Sequence, residues 1–411
     1  MPVGSVVGTV VIAGAGHAGG RAAEAMRQAG YTGRIVLVGE ESHPPYERPP
    51  LSKEMLATDY PPEKAYLAPQ TAWAEKTIEL RLDARVESLD RAAHRLRLAG
   101  GENLAYDRLL IATGGRVRKL SAHGVTLAGI HYIRSIADSL ALKAELKPGG
   151  RVVVIGGGFI GLEAAAAAAK LGCKATVIEA QNELLNRVMD PMMGRWFEQL
   201  HKANGVDVLK GVTIDRFEGR DRVEGVVLAT GDRIDADVVV IGIGIVPNLE
   251  LAADAGIEVG NGIKADEFGV TSDPDVFAVG DVAFHLNPIL GRHVRLESWA
   301  NAQNGGIAVA RNMVLAERAP YVDVPWFWTD QFGANIQIAG APHAWDRIVV
   351  RGKPESGKFI AFALHGAKVV GGTAVNLGRD MRFIKSLIQS SKDVRDEDLA
   401  NEAQQLRVLA G

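Results

Sequence analysis

Residues 14–19 read GAGHAG and follow the apolar run TVVIA at 9–13. In this G-x-G-x-x-G spacing Gly14 permits a tight turn, Gly16 lets a pyrophosphate approach the backbone, and Gly19 lets a helix pack closely on a strand. The helix that follows offers free N–H groups and a partial positive charge to phosphates. Glu40, just past the next apolar run RIVLV, stands where a carboxylate accepts hydrogen bonds from ribose hydroxyls. The same pattern returns later: RVVVI at 151–155, then Gly156, Gly158 and Gly161 in GGGFIG, then CKATVIEA with Glu179 near its end. An acid at Glu179 favours a free 2′-hydroxyl and repels a 2′-phosphate, which selects NADH over NADPH. His17 lies inside the first turn, where a place at a helix N-terminus beside phosphate accounts for it without a catalytic role.

Two dinucleotide sites in one chain limit the chemistry. One holds a tightly bound carrier and the other a diffusible hydride donor, and FAD with NADH is the economical pair. A third stretch, PYERPPLSKEM at 45–55, sets Arg48 and Lys53 on either side of a double proline. Prolines stiffen the backbone and disfavour a regular helix through the pair. A rigid turn of this kind holds two cations in fixed directions.

The elements that must position these residues are legible as a repeated β-turn-α-β unit, which implies parallel strand pairs. A helix is expected at 69–76, short strands between 78 and 111, a helix near 191–204, strands near 206–228 and a helix at 301–316. From 326 to 375 the pattern changes to short alternating strands with turns, which suggests antiparallel hairpins. Two helices, near 378–391 and 396–409, close the chain. The fold class is therefore α/β: two Rossmann-like dinucleotide-binding domains plus a smaller C-terminal α+β domain.

Composition agrees with a large enzyme core. The chain has 411 residues, 47% of them apolar, and a net charge of −3 that argues against general nucleic-acid binding. The single cysteine, Cys173, precedes an apolar strand and reads as a small buried residue. One cysteine excludes an intramolecular disulfide or a dithiol redox site. The apolar N-terminus lacks the basic region of a signal peptide, and no run is long enough to span a membrane. A cytoplasmic protein is expected.

The order of motifs G-x-G-x-x-G, ERPPLSKE, IATGG, GGGFIGLE, GIGIVPN, VFAVGD and PWFWTDQ resembles the FAD-dependent NADH:ferredoxin reductases of bacterial oxygenase systems, such as putidaredoxin reductase and the reductases of aromatic-ring dioxygenases. The resemblance covers nearly the whole chain. It implies a glutathione-reductase-like fold in which a discontinuous FAD domain (1–116 and 246–322) is split by an NAD domain (117–245) and followed by the C-terminal domain (323–411). It further implies Gly14, Gly16 and Gly19 at the FAD pyrophosphate, Glu40 at the adenosine ribose, Arg48 along the phosphates or ribityl chain, and Lys53 beside the flavin ring. Thr113 and Gly114 match a segment passing close to FAD, and Asp281 an acid on the ribityl chain. Glu163 matches a residue near the nicotinamide, and Trp328 an aromatic beside the isoalloxazine. A fixed ammonium at Lys53 would stabilise the negative charge that reduction creates.

Related flavoenzymes of this architecture, the disulfide reductases among them, place a cysteine beside the flavin where this chain has Leu51-Ser52-Lys53. Without that thiol, electrons leave the flavin directly. NADH gives two electrons as hydride and a [2Fe–2S] ferredoxin takes one at a time, an exchange a flavin can mediate. The resemblance thus implies single-electron delivery to a [2Fe–2S] ferredoxin serving an oxygenase or cytochrome P450, with no side chain required as acid–base catalyst. A rubredoxin or quinone reductase, an NADH oxidase, and a redox-signalling flavoprotein like apoptosis-inducing factor are the alternatives. An acidic ferredoxin would be met by basic residues, with Arg311, Arg379, Arg382 and Lys385 as candidates. The last helix has a weak apolar stripe through Leu399, Leu406 and Leu409 and a largely acidic and amide polar face, unsuited to an anionic membrane.

Overall fold

The computed structural model describes residues 7–341 and 345–411. The chain forms two compact units. One contains residues 1–48, 63–116 and 246–325, and the other contains 49–62, 117–245 and 326–411.

The first unit is built on a five-stranded parallel sheet in the order Val276–Ala278, Arg108–Ile111, Thr9–Ala13, Arg34–Val38, Ile78–Arg81. Alternate residues of its strands serve opposite faces. Val10, Ile12, Ile35 and Leu37 join one core, which includes the helices His17–Gln28 and Trp299–Val314. Val11, Ala13, Val36 and Val38 join another, beneath the antiparallel strands Val86–Asp90, Arg95–Leu98 and Asn103–Ala105. Burial on both faces explains why these strands read as unbroken apolar runs rather than as alternations. The two long helices approach closely at Gly306, where a Cβ would lie 2.7 Å from the carbonyl oxygen of Ala18.

The second unit repeats the plan. Its parallel sheet runs Asp207–Lys210, Lys174–Glu179, Arg151–Ile155, Val238–Ile241, Ile130–His131. A second, antiparallel sheet of five strands follows in the order Trp326–Gln331, Ala334–Ala339, Lys368–Val375, Lys358–His365, Arg347–Lys353. The helix Met381–Ser390 buries Met381, Ile384, Leu387 and Ile388, the stripe expected of one apolar face. Residues 49–62, early in sequence, belong to this unit: a 3₁₀ turn at Pro49–Ser52 and a short helix at Glu54–Ala57.

One expectation needs correction. The terminal segment is not a single helix over 396–409 but two short ones, Asp396–Ala400 and Leu406–Ala410. The Arg351 guanidinium donates to the backbone carbonyls of Leu399, Asn401, Glu402 and Gln404. Arg351 thus supplies donors to carbonyls of the segment that joins the two short helices. Leu399 and Leu406 are nonetheless both buried, as the stripe suggests.

Candidate functional site

In the first unit the expected cofactor residues lie where a doubly wound sheet binds ligands, at the carboxyl ends of its strands. Gly14 follows Thr9–Ala13, Glu40 follows Arg34–Val38, Thr113 follows Arg108–Ile111 and Asp281 follows Val276–Ala278. Gly14 has φ +119°, and a Cβ on it would meet the Ala112 carbonyl oxygen at 2.2 Å. Only glycine fits there. At Gly19 a Cβ would meet the Gly14 oxygen at 2.0 Å, whereas at Gly16 it would meet nothing within 4 Å. The first and third glycines are therefore required by the chain's own packing, and the second leaves space.

The helices that follow the two glycine turns, His17–Gln28 and Phe159–Lys170, begin at Gly16 and Gly158 with no side-chain cap and no acid in the first turn. The helices at 136–145, 191–203 and 299–314 are capped by Ser135, Asp190 and Ser298. Uncapped first-turn N–H groups above an open glycine are donors left for an anionic ligand, and they fit a pyrophosphate.

Other expected residues are already engaged by neighbours in their own unit. Arg48 donates to the Tyr46 hydroxyl and to Glu41 Oε1, both at 2.9 Å. Thr113 Oγ1 donates to the Asn248 carbonyl at 3.0 Å, and Asn248 Nδ2 returns a bond to the Thr113 carbonyl at 2.9 Å. Gly114 has φ +60°. Glu40 is exposed. His17 is buried, bonded to Gln303 at 2.8 Å and set edge-on to Trp299. Burial pushes its pKa down, so it is a neutral packing residue.

The second unit holds the other dinucleotide turn. Glu179 folds back on it: Oε2 accepts from the Gly157 amide at 2.7 Å and Oε1 from the Gln181 amide at 2.8 Å. Gly156, at φ +106°, and Gly161 approach Gly242 and Gly156 oxygens as their counterparts do in the first unit.

The same unit assembles a buried polar cluster from three separate stretches of chain. Glu163 lies in the second turn of Phe159–Lys170 and is 6% exposed. Its Oε2 accepts from the Ser52 hydroxyl and its Oε1 accepts from Thr329 Oγ1 at 2.6 Å. Lys53 Nζ is 3.4 Å from Oε1. Burial pushes the Glu163 pKa up, against the opposing pull of the Lys53 charge and the two hydroxyl donors. Lys53 also faces the Trp328 ring, with Nζ 5.4 Å from its centroid. Trp328 stacks on Trp326 at 5.2 Å between centroids, and Lys385 Nζ lies 5.1 Å from the Trp326 ring.

Residues 8–306 match the family described as pyridine nucleotide-disulphide oxidoreductase, and residues 326–410 match the reductase C-terminal family. The chain belongs to the pyridine nucleotide-disulphide oxidoreductase family. It is 43% identical over 396 residues to the anthranilate 1,2-dioxygenase system ferredoxin–NAD(+) reductase component of Burkholderia cepacia, covering 95% of this chain and 96% of that protein. It is 40% identical to the biphenyl dioxygenase counterpart of Paraburkholderia xenovorans, over 98% of both chains. Among solved structures it resembles the ferredoxin reductase for the CYP199A2 system from Rhodopseudomonas palustris, with a TM-score of 0.95 and 37% identity over 98% of this chain and 100% of that one. The covalent putidaredoxin reductase–putidaredoxin complex gives 0.94 and 35%, over 98% of both chains. These findings bear out the resemblance read from the motifs and the α/β fold class with its C-terminal domain. They establish this chain as an FAD- and NAD(H)-using oxidoreductase of that family.

Several residues of the buried cluster receive no role in the motif reading, although Thr329 and Gln331 lie within PWFWTDQ. Thr329 and Gln331 are both buried, on alternate positions of a strand whose intervening Asp330 is exposed. Polar residues at the inward parity of a strand are a readable signal, since each must find a partner. His201 lies on the buried stripe Met193, Phe197, His201 of the helix Pro191–Ala203. Cys173 is buried, its thiol donates to the Lys147 carbonyl, and burial raises its pKa, as suits an inert position.

Proposed function

We propose that the chain is an NADH:ferredoxin oxidoreductase that passes single electrons to a [2Fe–2S] ferredoxin serving an oxygenase or cytochrome P450. The observation that carries this reading is Ser52. It stands where relatives of the disulfide-reductase type carry a thiol, and its hydroxyl is committed to Glu163. With no thiol beside Lys53 to receive electrons, they go to an external acceptor. The names of relatives from several dioxygenase systems, and the complex with putidaredoxin, support a ferredoxin in that role.

FAD, when bound, supplies the exchange between a two-electron hydride donor and a one-electron acceptor. On this reading residues 1–116 and 246–322 hold it: Gly14, Gly16 and Gly19 with the amides of the first helix turn would take the pyrophosphate, Glu40 the ribose, and Arg48, Thr113, Gly114 and Asp281 the remaining length. Residues 117–245 would hold NADH through Gly156, Gly158, Gly161 and Glu179, and residues 323–411 form the C-terminal domain. Lys53 and Trp328 would border the flavin ring and Glu163 the nicotinamide. Glu163 fixes the ammonium of Lys53, which offsets negative charge arriving beside it. Trp328 provides a flat apolar wall, and the buried surroundings exclude water. A cytoplasmic location follows from the need for NADH and agrees with the described residues, where no helix is long and apolar enough to cross a membrane.

The basic residues proposed to meet the ferredoxin are Arg311, Arg382 and Lys385. Arg311 and Arg382 are exposed and Lys385 is partly so. The test is an anaerobic NADH titration of the purified holoprotein, followed by turnover with a [2Fe–2S] ferredoxin, a rubredoxin, a quinone and oxygen. Flavin bands should bleach with one equivalent, and the iron–sulfur protein should be reduced fastest. Turnover no faster with it than with oxygen would overturn the assignment of the acceptor.

A further inference from the structure

The polar cluster does not stop at Thr329. Gln331 Nε2 lies 3.0 Å from Thr329 Oγ1, and Gln331 Oε1 lies 2.8 Å from His201 Nε2. His201 is wholly buried, its ring is edge-on to Phe332 at 5.0 Å, and its Nδ1 has no hydrogen-bond partner among the described residues. Phe332 itself has φ +51° in the two-residue turn between the strands Trp326–Gln331 and Ala334–Ala339. A bulky residue is rarely found there, so the histidine packs against a constrained turn.

With Glu163 ionised, as its ion pair with Lys53 favours against the cost of burial, the direction of every bond in this chain is fixed. An ionised carboxylate only accepts. Thr329 must therefore donate its single hydroxyl proton to Glu163, and its oxygen is left to accept from Gln331 N–H. Gln331 then presents its oxygen to His201, which must carry its proton on Nε2. Protonating Glu163 toward Thr329 either strands the Thr329 hydroxyl proton, its oxygen then accepting from both Glu163 and Gln331, or reverses each step and ends with His201 protonated on Nδ1. That nitrogen is buried and faces no acceptor among the described residues, so in either case a donor is left unpaired.

We propose that Thr329, Gln331 and His201 are positioning residues, a one-way hydrogen-bond chain whose blind end at His201 holds Glu163 as an oriented carboxylate opposite Lys53. This rests on the reading of Lys53 and Glu163 as flavin-site residues, but not on ferredoxin being the acceptor. Lys53 is the charged group that faces Glu163, with Ser52 and Thr329 as hydroxyl partners. The neighbouring Asp330 is exposed and bonded to Asn335 at 2.7 Å instead. Burial also lowers the pKa of His201, in keeping with a ring that stays neutral.

Two measurements on the FAD-loaded protein, neither needing NADH or ferredoxin, test the proposal. Nitrogen NMR of labelled His201 should report the Nε2–H tautomer across the neutral range; an Nδ1–H tautomer overturns the stated direction. Infrared difference spectra against Glu163→Gln should follow the Glu163 carboxyl as pH falls. Thr329→Val and Gln331→Leu should raise its midpoint by about one pH unit, a tenfold change in the protonation equilibrium. His201→Phe should raise it by less, and Thr329→Ser should restore the wild-type value. Midpoints unmoved in folded, flavin-loaded Thr329→Val and Gln331→Leu overturn the proposal. If Thr329→Val does not fold, Gln331→Leu and the tautomer decide. A protein that passes both measurements yet fails to reduce any ferredoxin would refute the acceptor and leave the chain standing.

Discussion

Ser52 and Glu163, 111 residues apart in sequence, are joined by a buried hydroxyl–carboxylate hydrogen bond, and the neighbouring Lys53 lies 3.4 Å from the other carboxylate oxygen. The turn that carries Ser52 is thereby fastened to the helix of the second glycine fingerprint. Removing the hydroxyl leaves one oxygen of a buried carboxylate without its donor, which costs about 1–3 kcal/mol. Ser52→Ala should lower the thermal melting temperature by a few degrees while Ser52→Thr loses less. Equal melting temperatures for Ser52→Ala and the wild type would show that the bond contributes nothing.

Lys53 is paired with this carboxylate, and its charge is proposed to stabilise electron density arriving at the flavin. Lys53→Met should slow flavin reduction by NADH roughly ten- to a hundredfold, the scale of losing one oriented electrostatic partner. Stopped-flow absorbance of the flavin bands checks it. Reduction at the wild-type rate would remove Lys53 from the proposed site.

Glu179 accepts two backbone N–H bonds beside the second glycine turn, so its carboxylate is fixed rather than free to swing away. Glu179→Arg should narrow the preference for NADH over NADPH by tenfold or more, since a repulsive charge becomes an attractive one at the place proposed for the 2′ position. The ratio of kcat/KM for the two nucleotides is the measurement, and an unchanged ratio would refute the role.

Acid should weaken the first unit through His285. This ring is 5% exposed, its Nε2 has no partner among the described residues, and burial lowers its pKa to about 4. The folded value lies below the unfolded one, near 6.5, so the unfolded chain binds more protons between the two. Stability is whole above about 6.5 and is lost as pH falls toward 4, by roughly 3 kcal/mol at most. His285→Leu should flatten the fall in melting temperature over that window. A variant that melts with the wild-type pH dependence would contradict this.

The partner surface is testable by charge reversal. Lys385 lies over Trp326, which stacks on Trp328, so it borders the aromatic pair beside Lys53. Lys385→Glu and Arg382→Glu should each raise the KM for an acidic ferredoxin several-fold at low salt, with the difference shrinking as salt screens it. Rates with a small uncharged acceptor should not change. An effect that persists at high salt, or none at all, would place the docking surface elsewhere.

Much of the fold was legible because parallel strands buried on both faces and glycine turns leave strong local signatures. TVVIA and RVVVI became the centres of two parallel sheets, and Gly14 and Gly156 occupy backbone conformations that exclude a side chain. The terminal helix was misread because its break lies in carbonyls drawn to Arg351, a residue 48 positions away from the first of them. The buried chain through Thr329, Gln331 and His201 was missed for the same kind of reason. Threonine, glutamine and histidine have no periodicity of their own, and their pairing depends on a strand and a helix meeting.

The sequence by itself determined the two nucleotide folds, the glycines that shape their turns, the absence of a thiol beside Lys53, and the presence of an acid, Glu179, after the second glycine turn. Those properties depend on residue type and short spacing, which the chain carries locally. Only the tertiary structure decided that Ser52, Glu163 and Thr329 meet at one carboxylate, and that the bonds leading from it end at a His201 nitrogen with no partner among the described residues. Hydrogen-bond direction is settled by which donors and acceptors are buried together, and three distant segments must be packed before that question has an answer.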